Sequence, residues 1–351
     1  MCRFAQSLSI VPAIAVLLFV GCEDSPVWQD ISGEAPERTT VPGSKSNSDI
    51  PAYKPPERSE APNSSQAVIS GFLALRPGEI TDGHLTQLTS LEEGLEQITQ
   101  LDIETSRVTL DGLRQIGNLK WLNSLNLSRR KLTDDILTQL QEMPDLAILK
   151  LNNCGLQDHQ LAHLAPLTSL RELHLGTNEI SDEGFEQFES LVNLELLDVT
   201  QAATDGSGFK VFEKIKPLKL KTIIAHFTGF GRNGPGIVSD WKQLEVLNIS
   251  RGNLDDTGLG KLSRLENLRE LDVSFNAITD RGIKKIDRLP NVAMLKLVEN
   301  KGVSNASLEA IKEWSNLRTL ELDQTSCNLG GVRELKKYLP NVTIQFQGQK
   351  Y

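Results

Sequence analysis

Aromatic side chains are scarce in this 351-residue sequence, at 5%, although its apolar fraction of 39% is ordinary. A core of normal size is therefore affordable, but it must be built mainly from aliphatic packing. Positive charge is not in excess either. A net charge of −9 argues against nucleic acid as a partner, because phosphate binding rests on a basic footprint. The one basic cluster, Lys210, Lys214, Lys216, Lys219 and Lys221, reads as a solvated convex face. No apolar stretch is long enough to cross a bilayer comfortably. The longest, Leu8 to Val20, has the length of a signal-peptide core, with Arg3 before it and Gly21-Cys22 after it.

The segment Leu18-Phe19-Val20-Gly21-Cys22 resembles the lipobox of bacterial lipoproteins. That resemblance implies cleavage before Cys22 and acylation of its thiol and new amino group. Residues 1–22 are thus expected to be a signal peptide. The chain is expected at the bacterial cell envelope, lipid-anchored on a membrane, with secretion as the alternative; several acyl chains give a stable attachment that one does not. Residues 23–66 are punctuated by Pro36, Pro42, Pro51, Pro55, Pro56 and Pro62 among Ser, Glu, Asp and Lys. Such a segment buries too little apolar surface to offset its chain entropy and reads as a disordered tether.

From residue 67 to 346 the sequence is periodic. The motif L-x-x-L-x-L recurs every 24 residues: Leu122, Leu125 and Leu127, then Leu146, Leu149 and Leu151, then Leu170, Leu173 and Leu175. It continues through Leu194, Leu220, Leu244, Leu268, Val292 and Leu317, with a two-residue insertion before Leu220. Alternation over L-x-L predicts a short strand. Behind it, apolar residues three apart (Leu137, Leu140, Met143; Phe185, Phe188, Leu191) predict one face of a helix. A Thr/Ser-Asp pair such as Thr133-Asp134 or Ser181-Asp182 precedes that helix and suits its N-cap. No unit can bury its own leucines, so the units must stack.

This pattern resembles the leucine-rich-repeat superfamily, in particular its ribonuclease-inhibitor-like and F-box-associated subclasses, although no F-box precedes the repeats. The resemblance implies an α/β fold: a right-handed solenoid of about ten or eleven strand-turn-helix units with the parallel sheet on its concave face, and residues 347–351 as a tail. It also implies a small polar residue at the ninth position of each unit that bonds loop backbone. Here that position holds Ser106, Cys154, Asn178, Thr228, Asn276, Asn300 and Thr325, so Cys154 is expected to be a buried structural thiol. Arg130 interrupts this ladder and is expected to turn outward or to mark a distortion. Cys154 and Cys327 lie seven units apart, roughly 35 Å at ~4.8 Å per strand, too far for a disulfide.

Relatives of this kind generally bind partners on the concave face. That resemblance makes Lys150, His174, Ile224, Asn248, Asp272, Arg251, Phe227 and Phe275 the candidate partner-binding residues, an otherwise polar surface with an apolar strip around Ile224, Phe227 and Phe275. Ala225–Gly236 is the most irregular stretch. Its glycines and Pro235 are expected to replace the helix start with a loop that frees His226 and Arg232. Catalytic readings are poor. His159 and His163 are four apart but lack the glutamate of a zinc-protease helix, the glycine cluster lacks the lysine of a phosphate loop, and no Ser-His-acid set can be assembled. No cofactor and no metal site is expected. The reading that follows is a non-catalytic module that binds a protein partner at the envelope. A structural or surface-display repeat protein without a specific ligand, or a carbohydrate binder, is the alternative.

Overall fold

The computed structural model describes residues 64–286 and 289–351. Cys22, the expected signal peptide and the tether up to residue 63 lie outside the described residues. The repeat register is visible directly in the sheet, whose twelve strands follow one another in chain order. They are β1 Gln100–Asp102, β2 Ser124–Asn126, β3 Ile148–Lys150, β4 Glu172–His174, β5 Leu196–Asp198, β6 Thr222–Ile224, β7 Val246–Asn248, β8 Glu270–Asp272, β9 Met294–Lys296, β10 Thr319–Glu321, β11 Thr343–Phe346 and β12 Gln349–Lys350. β1 to β11 are parallel, and the middle residue of each three-residue strand is buried while its neighbours are at least partly exposed. Register holds through the insertion, because Leu196 pairs with Thr222 and the two additional residues are taken up behind the sheet.

Residues 347–351 are not a tail. Gln347 and Gly348 both have positive φ, the signature of a tight hairpin turn, and they fold Gln349–Lys350 back antiparallel on β11. At the other end, the helix Ser64–Leu73 already includes the last three residues assigned to the tether, and it buries Ile69 and Phe72 against the first unit.

Behind the sheet the helices are short, and three successive ones, Asp158–Leu164, Gly184–Ser190 and Ser207–Lys214, are 3₁₀. Apolar residues three apart fit that period, although the same spacing also occurs where Leu137 and Leu259 lie on α-helices. At three residues per turn, positions i and i+3 share one face, and Leu161/Leu164, Phe185/Phe188 and Phe209/Phe212 all face the core. Phe185, Phe188, Phe209, Phe212, Phe230 and Trp241 form one aromatic cluster here. Phe209 packs edge-on against Phe230 with ring centroids 4.9 Å apart, and Phe212 packs edge-on against Trp241 at 6.1 Å. The glycines of the irregular segment serve this cluster. A Cβ at Gly234 would come within 2.4–2.5 Å of the Phe230 ring atoms, and one at Gly231 would strike the Gly252 carbonyl. A short helix, Gly234–Val238, does form where a loop was expected. Pro235 is tolerated because it stands in the first turn, where its missing N–H has no intrahelical partner to lose.

Of the residues expected to cap, Thr279 accepts from the Arg281 amide whereas Thr133 makes no side-chain cap bond, and the aspartate at the head of the helix bonds across units instead. Asp82 accepts from the amide and hydroxyl of Thr109 in the next unit (2.7 and 2.6 Å), and Asp158, Asp256 and Asp280 hold Ser181, Thr279 and Ser304 in the same way. Each of these carboxylates staples one unit to the following unit. The ladder asparagines do likewise inside the stack. Asn178 accepts from the Cys154 and Leu156 amides and donates to the Leu151 and Leu175 carbonyls.

Arg130 corrects the outward expectation. Its guanidinium reaches back into the preceding unit and donates to the carbonyls of Ile103, Val108 and Ser106 and to the Ser106 hydroxyl. A long side chain with five donors and no acceptor thus performs at its position the donor half of what asparagine does elsewhere.

Along the rim where the strands begin, charges alternate from unit to unit: Arg171, Glu195, Lys221, Glu245, Arg269. Arg171 and Lys221 both reach Glu195 at 3.3 Å, and Arg269 reaches Glu245 at 3.4 Å. The expected solvated lysine face is likewise tied to the preceding unit, through Lys214–Glu189 at 2.8 Å and Lys219–Asn193 at 2.6 Å.

Candidate functional site

The opposite rim, where strands end, has a repeated backbone kink. Arg129, Asn153, Thr177, Gln201, Phe227, Arg251, Phe275, Glu299 and Gln324 all have φ between 52 and 64°, the left-handed region that bulky residues avoid. What holds them there is the continuation of the ladder. The amides of Phe227, Arg251 and Phe275 donate to the carbonyls of Ser250, Ser274 and Val298 in the next unit at 2.7–2.9 Å. The side chains of this column therefore stand on the rim one above the next.

In the middle of the column three of them form a stack. The Arg251 guanidinium carbon is 4.3 Å from the Phe275 ring centroid and 5.8 Å from that of Phe227, both within cation–π range. Phe227 is 51% exposed and Phe275 41%, so the rings are held by the arginine rather than by the core. They border an open groove of about 980 Å³ whose wall also includes Asn253, Asp255, Asn276 and Glu299.

The acids of the groove are already engaged. Glu299 is 2.7 Å from Lys301, and Asp255 caps a helix by accepting from the Thr257 and Gly258 amides. Among the described residues no carboxylate lies within ion-pair distance of Arg251.

His226 flanks the stack, its ring 6.2 Å from that of Phe227, and its Nδ1 is 2.7 Å from the Ser250 hydroxyl. This contact is not a nucleophile–base pair. Ser250 is only 4% exposed and its hydroxyl donates to Asn248 Oδ1 at 2.6 Å, so it has neither access nor a free proton. Asn248 and Asp272 are turn-closing residues whose side-chain oxygens accept from the amides of Ser250 and Ser274 two positions on.

Lys150, His174 and Ile224 lie on the open face of the sheet, on β3, β4 and β6. His174 Nδ1 is 3.3 Å from Asp198 Oδ2. Burial pushes the Asp198 carboxyl up, but hydrogen bonds from His174 and Thr200 outweigh it and hold the group below its ordinary range. Arg232 stands apart, exposed in the turn that leads into Gly234–Val238.

The structure thus brings together Phe227, Arg251 and Phe275 with His226 alongside, on the strand-end rim rather than on the strands. Two partly buried residues escaped the sequence reading. Leu196 and Val246 flank Thr222 on the open face beside Ile224 and give β5–β7 an apolar centre. Their signal was the residue just before the middle leucine of each motif. His159 lies in the 3₁₀ segment Asp158–Leu164 together with His163, whose ring nitrogen is 4.0 Å from Asp134. Among the described residues no three ligating side chains gather as a metal site would require.

A family model described as leucine-rich repeat matches residues 167–186 and 264–286. Among solved structures, an internalin (inlF) from Listeria monocytogenes is 18% identical with a TM-score of 0.55, over 80% of this chain and 93% of that one. The fold is a leucine-rich-repeat solenoid. A second internalin, internalin C2 (inlC2) from the same organism, is 19% identical over 75% of this chain and 92% of that one, with a TM-score of 0.41. No curated protein matches the chain by sequence. Leucine-rich-repeat solenoids are in general protein-interaction scaffolds rather than enzymes, and they use extended faces of this kind for binding.

Proposed function

We propose that this leucine-rich-repeat chain is a non-catalytic protein-binding module, held at the bacterial cell envelope by a lipid on Cys22. Its docking surface is the strand-end rim around Phe227, Arg251 and Phe275, continued onto the concave face through Ile224, Leu196 and Val246. One observation carries the reading: two half-exposed phenylalanines in disfavoured backbone conformations, clamped on an arginine. Phenylalanine and arginine are enriched in interface centres, whereas a purely structural rim is equally well served by the polar residues found above and below in the same column.

A glycan platform fits less well, because the Arg251 guanidinium already lies over each ring. The envelope tether is supported by the lipobox-like residues 18–22. Crosslinking in cells with mass-spectrometric identification tests the docking surface: the double variant Phe227→Ala/Phe275→Ala is expected to lose partners that the wild type captures. If both capture the same proteins, the rim is not the docking surface. Cys22→Ala is expected to leave the membrane fraction, and unchanged fractionation removes the anchor from the proposal.

A further inference from the structure

Resting on that docking surface, we infer that what the rim recognises is a carboxylate: an Asp or Glu side chain of a protein partner, set among apolar residues. The Phe275 and Phe227 rings border the Arg251 guanidinium, with centroids 4.3 and 5.8 Å from its central carbon, and its N–H edge meets no carboxylate of the chain among the described residues. That edge is built for a bidentate acceptor, and a carboxylate matches its two parallel N–H groups. Within the groove nothing supplies one, since Glu299 is held by Lys301, Asp255 by helix amides and Asp272 by the Ser274 amide. Arg114, Arg171, Arg264 and Arg269 each meet a carboxylate of their own chain at 2.6–3.4 Å, and what sets Arg251 apart from the other arginines that do not is the pair of rings beside it.

A fixed, planar, uncompensated cation bordered by two apolar rings defines complementary chemistry. The partner presents one acid, with aliphatic or aromatic neighbours that cover the ring edges. The rings also limit rotation of the guanidinium, so less side-chain freedom remains to be lost when the acid arrives. Lysine at this position would keep the charge but not the fork or the stacking.

The test uses the full chain and two immobilised peptide libraries, one alternating glutamate with leucine or phenylalanine, the other identical but with glutamine for glutamate. Wild type is expected to retain the glutamate library about tenfold more strongly, the scale of one charge-assisted hydrogen-bonded contact. In Arg251→Met and Arg251→Lys the preference is expected to collapse toward equality. Phe227→Ala/Phe275→Ala is expected to weaken retention of both libraries. Equal retention of the two libraries by wild type overturns the carboxylate inference. If the double alanine then lowers both, rim docking survives. Retention of neither library overturns the inference and the rim reading together, and Arg251-dependent capture of a sulfated oligosaccharide under those conditions assigns the site to glycans instead.

Discussion

Replacing Phe275 by asparagine separates a docking residue from a structural one. Three terms set the expected cost. The cation–π contact with Arg251 at 4.3 Å contributes about 0.5–1 kcal/mol at an exposed site. Phe275 is 41% exposed, so the burial lost is a little over half that of a core phenylalanine, about 1–1.5 kcal/mol. Against these stands the left-handed backbone at φ 57°, which costs a bulky residue about 1–2 kcal/mol and which asparagine tolerates, as Asn153 does in the same column. The balance is close to zero, at most about 1.5 kcal/mol of destabilisation, or a Tm lower by roughly 3 °C in a chain of this size. Leu271→Ala, in the strand four residues earlier, is expected to cost about 2–5 kcal/mol. Thermal unfolding followed by far-ultraviolet circular dichroism measures both, alongside partner capture. A Phe275→Asn variant that keeps its Tm but loses capture supports the reasoning. One that unfolds as early as Leu271→Ala shows the stack to be part of the scaffold and refutes it.

Arg130→Met is expected to cost about 1–3 kcal/mol, because the carbonyls of Ile103 and Val108 lose donors; earlier proteolysis of the first units reports this, and an unchanged cleavage rate counts against the inward role. Burial pushes the Asp280 carboxyl up, yet hydrogen bonds from Ser304 and Ser307 hold it below the ordinary carboxylate value. The staple therefore contributes fully above the unfolded value of about 3.9 and is lost as pH falls through the lower folded one. In an acid titration of stability, Asp280→Asn is expected to flatten the decline below about pH 4; an unaltered slope refutes the assignment. Burial pushes the Cys154 thiol up to about 11, so iodoacetamide at pH 8 is expected to label it only after denaturation, as read by peptide mass spectrometry. Rapid native labelling would show that the ladder position is open to solvent.

The stack was legible because its determinants are aliphatic and periodic. A leucine every 24 residues admits few arrangements, and strands β1 to β10 fall where the motif places them. Three features were less legible, each for a physical reason. Arg130 was expected to turn outward or to mark a distortion, but a guanidinium supplies enough donors to satisfy several buried carbonyls at once. Pro235 suggested a loop, but proline disrupts a helix only beyond its first turn. The apolar spacing of three in Phe185-Phe188-Leu191 was read as an ordinary helix face, and that spacing does not by itself separate the two helix types, since Leu137-Leu140-Met143 begins on an α-helix while the Phe185 segment is 3₁₀. The candidate site was half legible. Phe227, Arg251 and Phe275 were all singled out, and their separation by one repeat each time already implied that they stand in one column. What the sequence does not encode locally is the kink that lifts that column off the sheet face onto the rim. It arises from hydrogen bonds between neighbouring units.

The alternating rim Arg171, Glu195, Lys221, Glu245, Arg269 restricts how a protein of this kind can change length. Excising the single unit that carries Lys221 sets two glutamates against each other, and duplicating it sets two lysines together. Gain or loss of units in pairs preserves the order of signs. Over this stretch, growth by twos is electrostatically silent and growth by ones is not, so parity becomes a property on which selection can act.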